Sequence, residues 1–391
     1  MDIPAAQQVM LRTHLSALSH DLRASGLHLE SGPGVGKSAA VDQMCAALAK
    51  HLDEPVGQVV FMLATVSSVD VRGFMLPTKP DAVGGPMGTI FSLPPWMPVR
   101  GNTIVYLPDG TRLRPNVYDG PTPRVGVLFL DEFSQAEDEV KKPAAELVLN
   151  GNVGTAELPL GWRVVAAGNR MGDRSGVMRE LMFIVNRRCK LSIDAMVPPW
   201  IVWANAQVEP LRPHYMTVSF AQKQPHLVFR DAVPAGSDPF CTPRTLCLMD
   251  RDLRALRTDD QIARNVMPTD ALAREVCAGW IGSGEAAQYF VHLKYDEEIP
   301  DVAEIERDPL KAKLPAARDA QMVCGYMLAQ NLTDKNAPKI MAYLKRLQVE
   351  MQVLTVRAVV AQQGRAKAIL NTVEFGQWLA KHKDLLIAGG A

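Results

Sequence analysis

The sequence predicts an α/β fold built on a parallel sheet, followed by a mostly helical region. Up to about residue 195, short apolar runs alternate with helical patterns, an order typical of parallel sheets. After Pro198, most of the chain has helical periodicity instead. We therefore expect three parts: an α/β domain over 1–197 with an insert at about 66–123, a helical lid over 198–300, and a helical C-terminal extension over 301–391.

Five apolar runs are the candidate strands of the sheet: Leu27–Ser31, Gln58–Thr65, Gly126–Leu130, Trp162–Ala167 and Lys190–Ile193. A helical pattern from about Ser38 to Leu52 follows the first of them. The helices expected after Pro198 are Trp200–Gln207, Thr245–Arg257, Thr269–Gly279, Glu285–Leu293, Pro315–Gln330 and Ala337–Gln362.

The insert is rich in proline and glycine and contains LPPWMP and a predicted hairpin that turns at Asp109-Gly110. So long an irregular segment in a compact domain is usually functional. Phe91, Trp96 and Met97 are its candidate side chains for contact with a substrate or partner. The alternative is that they pack the insert's own core.

The composition excludes several classes of protein. Apolar residues make up 47% of the 391 positions, as in a globular chain. The counts of basic and acidic residues are equal, at 42 each, so no bulk electrostatic attraction to DNA or RNA is expected, although a local basic patch stays open. No apolar run reaches the roughly 18 residues of a membrane span, and the N-terminus lacks a signal-peptide core. Six scattered cysteines without CxxC pairs indicate reduced thiols in a cytoplasmic protein.

The stretch ESGPGVGKS, between a predicted strand and a predicted helix, indicates a phosphate-binding loop. Its glycines let backbone N–H groups face an anion, and the helix N-terminus adds partial positive charge. Lys37 is expected to reach the terminal phosphates of ATP, and the Ser38 hydroxyl to bind Mg²⁺. The loop residues expected around the nucleotide are Gly32, Pro33, Gly34, Val35, Gly36, Lys37 and Ser38. Ser31 stands where the usual pattern begins with glycine, and the alternative is a glycine-rich turn that binds nothing.

Two carboxylates end the strand VLFLDE, where the carboxyl edge of a parallel sheet faces a ligand crevice. Asp131 is expected in the Mg²⁺ shell, and Glu132 as the general base that activates water. Asn169 ends another apolar run and is a candidate to orient that water, or an ordinary turn residue.

Three arginines are candidates for contact with the phosphates. Arg187 or Arg188, in VNRRC, is a candidate arginine finger that reaches a neighbouring subunit's ATP, or else a solvated residue. Arg244, in CTPRTL, starts a predicted helix of the lid, where pairing with an acid is the alternative.

The order of these motifs (PGVGKS, LFLDEF, AAGN, NRR and PRT) resembles the AAA+ ATPases over roughly residues 10–300. Within them the chain is similar to the MoxR-like group, above all its phage- and prophage-encoded branch. The softer features of that likeness are the long insert with PPW, the segment ELVLNGNVGTAELPLGWRVVAAGN and the tail VNRRCKLSIDAMVPPWIVWA.

The resemblance implies a P-loop NTPase αβα sandwich followed by a helical lid, assembled as a hexameric ring with ATP between subunits. It implies Walker A roles for Lys37 and Ser38 and Walker B roles for Asp131 and Glu132. It further implies sensor 1, finger and sensor 2 roles for Asn169, Arg187 and Arg244, respectively. Relatives of this group act as chaperone-like remodellers of protein complexes, often with a von Willebrand factor A-domain partner.

Two alternatives stay open beside a remodelling ATPase: a DNA-directed motor or loader, and a scaffold that binds ATP but hydrolyses it slowly. Neutral charge and the lack of a helix-turn-helix or zinc signature count against the first. Glu132 and the arginine pair count against the second, whereas Ser31 favours it. The eight histidines show no metal-ligand spacing.

Overall fold

The computed structural model describes residues 1–79, 88–173, 185–230, 232–362, 366–370 and 372–388. The chain divides into two compact units. The first unit comprises Met1–Ala195 and the short segment Asp231–Val233. The second unit comprises Met196–Arg230 and Pro234–Ala391. The division falls beside the predicted end of the α/β domain at 197, and the further boundary at 300 stays a prediction.

A seven-stranded sheet forms the centre of the first unit. Its five parallel strands are β1 (Leu27–Ser31), β2 (Val56–Met62), β7 (Val125–Asp131), β10 (Trp162–Asn169) and β11 (Cys189–Ser192). The sheet order is β11-β1-β10-β7-β2, and two antiparallel strands, β5 (Ile104–Tyr106) and β6 (Arg112–Leu113), extend it beyond β2. All five predicted strands are present. The second ends earlier than predicted, because 63–65 form a 3₁₀ turn.

Helices cover both faces of the sheet. Helices α1 (Ile3–Ser19) and α2 (Lys37–Leu52) pack with Val127 and Phe129 in one core. Residues of α4 (Asp138–Asn150) pack with Leu128 and Leu130 in the core on the opposite face. This alternation follows from the two-residue period of a strand, and it makes the unit an αβα sandwich.

The insert begins with a short helix, α3 (Ser68–Arg72), and an antiparallel hairpin of β3 (Met75–Pro77) and β4 (Thr89–Phe91). Part of the predicted insert, 80–87, lies outside the described residues. Trp96 is fully buried, and its indole N–H donates to the Val71 carbonyl at 2.7 Å. The prediction that Trp96 contacts a substrate is therefore wrong, because it packs in the core of its own unit. Phe91 is exposed, and Met97 packs at the edge of the same core.

The predicted turn at Asp109-Gly110 is confirmed. It joins β5 to β6, Gly110 adopts a left-handed φ of 92°, and the Asp109 carboxylate accepts a hydrogen bond from the Thr111 N–H. A second small hairpin, β8 (Asn152–Val153) with β9 (Ala156–Glu157), follows α4.

The second unit is helical in its described residues. Its helices are Val197–Ala206, Tyr215–Lys223, Pro225–Val228, Pro243–Ala255, Asp259–Ala263, Ala271–Ile281, Ser283–Leu293, Val302–Arg307, Arg318–Asn331, Ala337–Leu344, Val349–Val360, Ala366–Leu370 and Val373–Ala388. One hydrophobic core joins residues from both sides of the predicted boundary at 300, from Trp200 to Trp378. Among the described helices of the chain, none has both the length and the apolar character needed to cross a bilayer.

The prediction of a single helix over 337–362 is wrong. The chain forms two helices there, which break at 345–348. Arg346 in the break donates to the carbonyls of Pro309 and Ala312, and the Gln348 N–H donates to the side chain of Gln321. These partners are distant in sequence and stabilise the break.

Candidate functional site

The turn from β1 into α2 has the backbone of a phosphate-binding loop. Gly34 and Gly36 adopt left-handed φ values of 70° and 112°, which glycine tolerates and other residues rarely adopt. Gly36 is the N-cap of α2, whose first residue is Lys37. The loop thus leads directly into the N-terminus of a 16-residue helix, and the unpaired N–H groups and partial positive charge of a helix N-terminus suit an anion.

The Lys37 ammonium group lies in a ring of oxygen atoms. It donates to the Ser31 hydroxyl at 3.0 Å and to the Ser31 carbonyl at 3.3 Å. It also donates to the Gly32 carbonyl at 3.1 Å and to the Asn169 side-chain oxygen at 2.9 Å. The parallel register pairs Ser31 with Asn169 at the ends of β1 and β10, which is why both reach the same lysine. The predicted Walker A lysine and the predicted sensor 1 residue are therefore neighbours.

A second pair of predicted residues meets beside the loop. The Ser38 hydroxyl donates to the Asp131 carboxylate at 3.1 Å. Asp131 ends β7, and its other carboxylate oxygen accepts the Glu132 N–H at 2.9 Å. Mg²⁺ prefers oxygen ligands, often one or two protein oxygens with phosphate and water, so a hydroxyl and a carboxylate in contact fit that ion.

Glu132 has a left-handed φ of 56°, unusual for a residue other than glycine, asparagine or aspartate. Such conformations cost roughly 1–3 kcal/mol and concentrate at functional sites. Glu132 is half-buried and directly follows Asp131 at the carboxyl edge of the sheet. Its position is consistent with the predicted role as general base.

Arg188, the second arginine of the predicted finger motif, lies against an aromatic ring. The Arg188 guanidinium lies over the Phe133 ring, 4.8 Å from its centroid, with its Nε and Nη1 atoms buried. Phe133 also contacts His28 edge-on, with ring centroids 5.5 Å apart. Burial, together with the positive charge of Arg188, holds the pKa of His28 well below its usual range. Arg188 therefore belongs to a cluster with Phe133, which follows β7, and sequence reasoning did not identify Phe133 or His28 as neighbours of this arginine.

Sequence reasoning also missed Arg170 and the hydrogen bonds of Ser31. Arg170 follows Asn169 and donates to the Ile193 carbonyl and the Asp194 carboxylate, which joins the ends of β10 and β11. Its only signal in the sequence was a charged residue after a strand end, which is too common to be specific.

Arg244 lies in the other unit, where it is exposed in the first turn of the helix Pro243–Ala255. Thr242 caps that helix by accepting the Thr245 N–H. The sensor 2 role of Arg244 stays a prediction.

Comparison with known proteins shows distant likeness of fold alone. No protein-family model matches the chain, and no curated protein does so either. A crystal structure of NtrX from Brucella abortus matches at 14% identity and a TM-score of 0.35, over 78% of this chain and 62% of that one. The ATP complex of NtrX matches at 12% identity and a TM-score of 0.34, over 97% and 68% of the two chains. A RuvB mutant from Thermotoga maritima matches at 13% identity and a TM-score of 0.35, over 79% and 76%.

The chain thus spans less than two thirds of the first NtrX structure. Because all three TM-scores lie below 0.5, the assignment of the fold rests on the chain's own features. These are the parallel order β11-β1-β10-β7-β2, the glycine loop between β1 and α2, and the carboxylates at the end of β7. Together they define a P-loop NTPase with an α/β fold and a helical C-terminal region.

Proposed function

We propose that this chain is an AAA+ ATPase that binds ATP with Mg²⁺ and hydrolyses it. The observation that supports this most directly is a pair of contacts between the start of α2 and the carboxyl ends of two strands, β10 and β7. Lys37 donates to Asn169, and Ser38 donates to Asp131. A glycine-rich turn that binds nothing would need neither a lysine surrounded by oxygens nor a carboxylate against the helix N-terminus.

ATP supplies a γ-phosphoryl group whose transfer to water develops negative charge on the phosphate oxygens. The N–H groups of the loop from Gly32 to Ser38 and the Lys37 ammonium would bind those oxygens. Ser38 and Asp131 would hold Mg²⁺. Glu132 would accept the proton of the attacking water at its carboxylate, and Asn169 would orient that water with its side-chain amide.

Within the AAA+ class we propose a MoxR-like remodeller, which couples hydrolysis at the subunit interfaces of a hexameric ring to work on a protein complex. A von Willebrand factor A-domain protein is the partner that the motif order suggests. Arg187 is proposed as the arginine finger because the motif order favours it, and Arg188 lies over the Phe133 ring within its own unit. Arg244 is proposed to contact the nucleotide from the lid.

The test of hydrolysis compares Glu132→Gln with Glu146→Gln, an exposed glutamate of α4. Loss of a positioned general base typically slows a reaction by about 10²–10⁴-fold. We expect Mg²⁺-dependent turnover by the wild type and by Glu146→Gln, a loss of that size in Glu132→Gln, and retained ATP binding. Absent turnover in the wild type, or full turnover in Glu132→Gln, would contradict an ATPase role.

The test of remodelling uses the same Glu132→Gln variant with ATP in the native host. We expect hexameric rings by electron microscopy and co-purification of a protein complex or a von Willebrand factor A-domain protein. Monomers at saturating ATP would contradict the interface role of Arg187. DNA-stimulated turnover would favour a DNA-directed motor instead.

A further inference from the structure

The Ser31 side chain is placed to influence the phosphate-binding lysine. Ser31 is fully buried at the end of β1, where its backbone pairs with Asn169 of β10. Its hydroxyl donates to the Gly32 carbonyl at 2.9 Å and accepts from Lys37 Nζ at 3.0 Å. The donated bond uses the hydroxyl's only proton, so its lone pairs are available to the lysine.

Lys37 therefore has more acceptors than it can use at once. An ammonium group carries three N–H donors, whereas four oxygen atoms of Ser31, Gly32 and Asn169 lie within 2.9–3.3 Å of Nζ. To donate to a phosphate oxygen, Lys37 must weaken or release contacts with some of these acceptors. Three of these four acceptors, the carbonyls of residues 31 and 32 and the Asn169 side chain, do not depend on the side chain at position 31. The fourth acceptor is the Ser31 hydroxyl, which glycine or alanine would lack.

We propose that Ser31 is a positioning residue that competes with the phosphates for Lys37 and so weakens nucleotide binding. This inference rests on the proposed function of the loop and explains the departure from glycine. A partly buried, charge-assisted hydrogen bond from Lys37 to the Ser31 hydroxyl stabilises the present position of the lysine, and that stabilisation is lost in part when phosphate binds. Ser31 thereby favours nucleotide release, because ADP and ATP both require the same lysine.

The experiment measures the Kd of a fluorescent ADP analogue and a fluorescent ATP analogue for the full chain and for three variants. Ser31→Ala removes the hydroxyl without adding bulk or backbone freedom. Ser31→Thr keeps the hydroxyl, and Ser31→Gly removes it and adds backbone freedom. We expect Kd to fall by about 3- to 10-fold in the alanine variant for both nucleotides, as one net hydrogen bond would allow. We expect a similar or larger fall in the glycine variant and a change within about twofold in the threonine variant.

Steady-state turnover separates this role from a merely structural one. Tighter binding of substrate and product predicts a lower KM without a higher kcat in Ser31→Ala. An unchanged or raised Kd in Ser31→Ala overturns the inference. A lower Kd in Ser31→Gly alone also overturns it, because backbone freedom would then be the cause. If the threonine variant does not fold, as circular dichroism would show, the alanine and glycine variants still decide.

Failure of the proposed function has a different signature. If the wild type binds neither analogue, or if Lys37→Ala binds them as well as the wild type, the loop is not a nucleotide site. If the wild type binds and Lys37→Ala does not, the loop is confirmed, and the Ser31 variants then test the competition alone.

Discussion

Replacing Arg187 should lower ATP turnover, whereas replacing Arg188 should lower the free energy of unfolding. In Arg188→Ala the guanidinium that lies 4.8 Å from the Phe133 ring is lost. A partly desolvated cation–π contact contributes about 1–2 kcal/mol, so we expect the free energy of unfolding to fall by about that amount. Turnover should fall by about 10³-fold or more in Arg187→Ala, the effect of losing an arginine finger.

The assay combines chemical unfolding with ATP turnover at saturating nucleotide. A double-mutant cycle with Phe133→Leu checks the origin of the stability loss, and Arg188→Ala and Phe133→Leu should be non-additive by about 1 kcal/mol. Arg188→Ala should keep ATP binding. The reasoning is refuted if Arg188→Ala abolishes turnover at unchanged stability while Arg187→Ala hydrolyses ATP normally. Additive stability losses would refute the contact with Phe133.

Three further outcomes follow from burial and charge. Trp96→Ala should lower the free energy of unfolding by about 3–5 kcal/mol. Phe91→Ala, at an exposed site, should lower it by less than about 1 kcal/mol. Equal losses in the two variants, measured by chemical unfolding, would contradict the packing of Trp96. Burial lowers the pKa of His14 from its ordinary 6.5 to about 4. Between these two pH values the imidazole is protonated in the unfolded chain but neutral in the folded one. The free energy of unfolding therefore falls as pH drops below about 6.5. His14→Gln should flatten the decline measured between pH 6 and 5 by up to about 1 kcal/mol, and an unchanged decline would contradict this role of His14. Asp131→Asn should raise the Mg²⁺ concentration for half-maximal turnover, measured by titration, and an unchanged value would contradict its place in the metal shell.

The strands of the first unit could be predicted because each is a short apolar run between turn residues. Gly126–Leu130 is one example, and the structure extends it only to Val125 and Asp131. The edge pair β5 and β6 was also predictable, because Asp109-Gly110 is a local turn signal. The order of the strands followed from no local signal, since parallel neighbours are joined by long crossovers.

Helix ends and buried side chains were harder to predict. The residues 345–348 continue the helical pattern, and the break there depends on Arg346 reaching carbonyls over 30 residues away. Trp96 stands in a proline-rich segment that suggests an exposed loop, yet its indole is held by Val71. In both cases a partner distant in sequence overrides the local pattern.

The two ambiguities of the site have the same physical origin. Ser31 departs from the usual loop, and it shares Lys37 with Asn169, which the neighbouring strand β10 brings into register with it. Arg187 and Arg188 are adjacent arginines that the sequence alone does not distinguish, and the contact of Arg188 with Phe133, on the segment after β7, is seen only in the folded chain. Residues that supply backbone N–H groups, hydroxyls and carboxylates at strand ends are recognisable from local spacing. Residues that tune these groups act through neighbours on other strands, so their roles become visible only when the sheet is assembled.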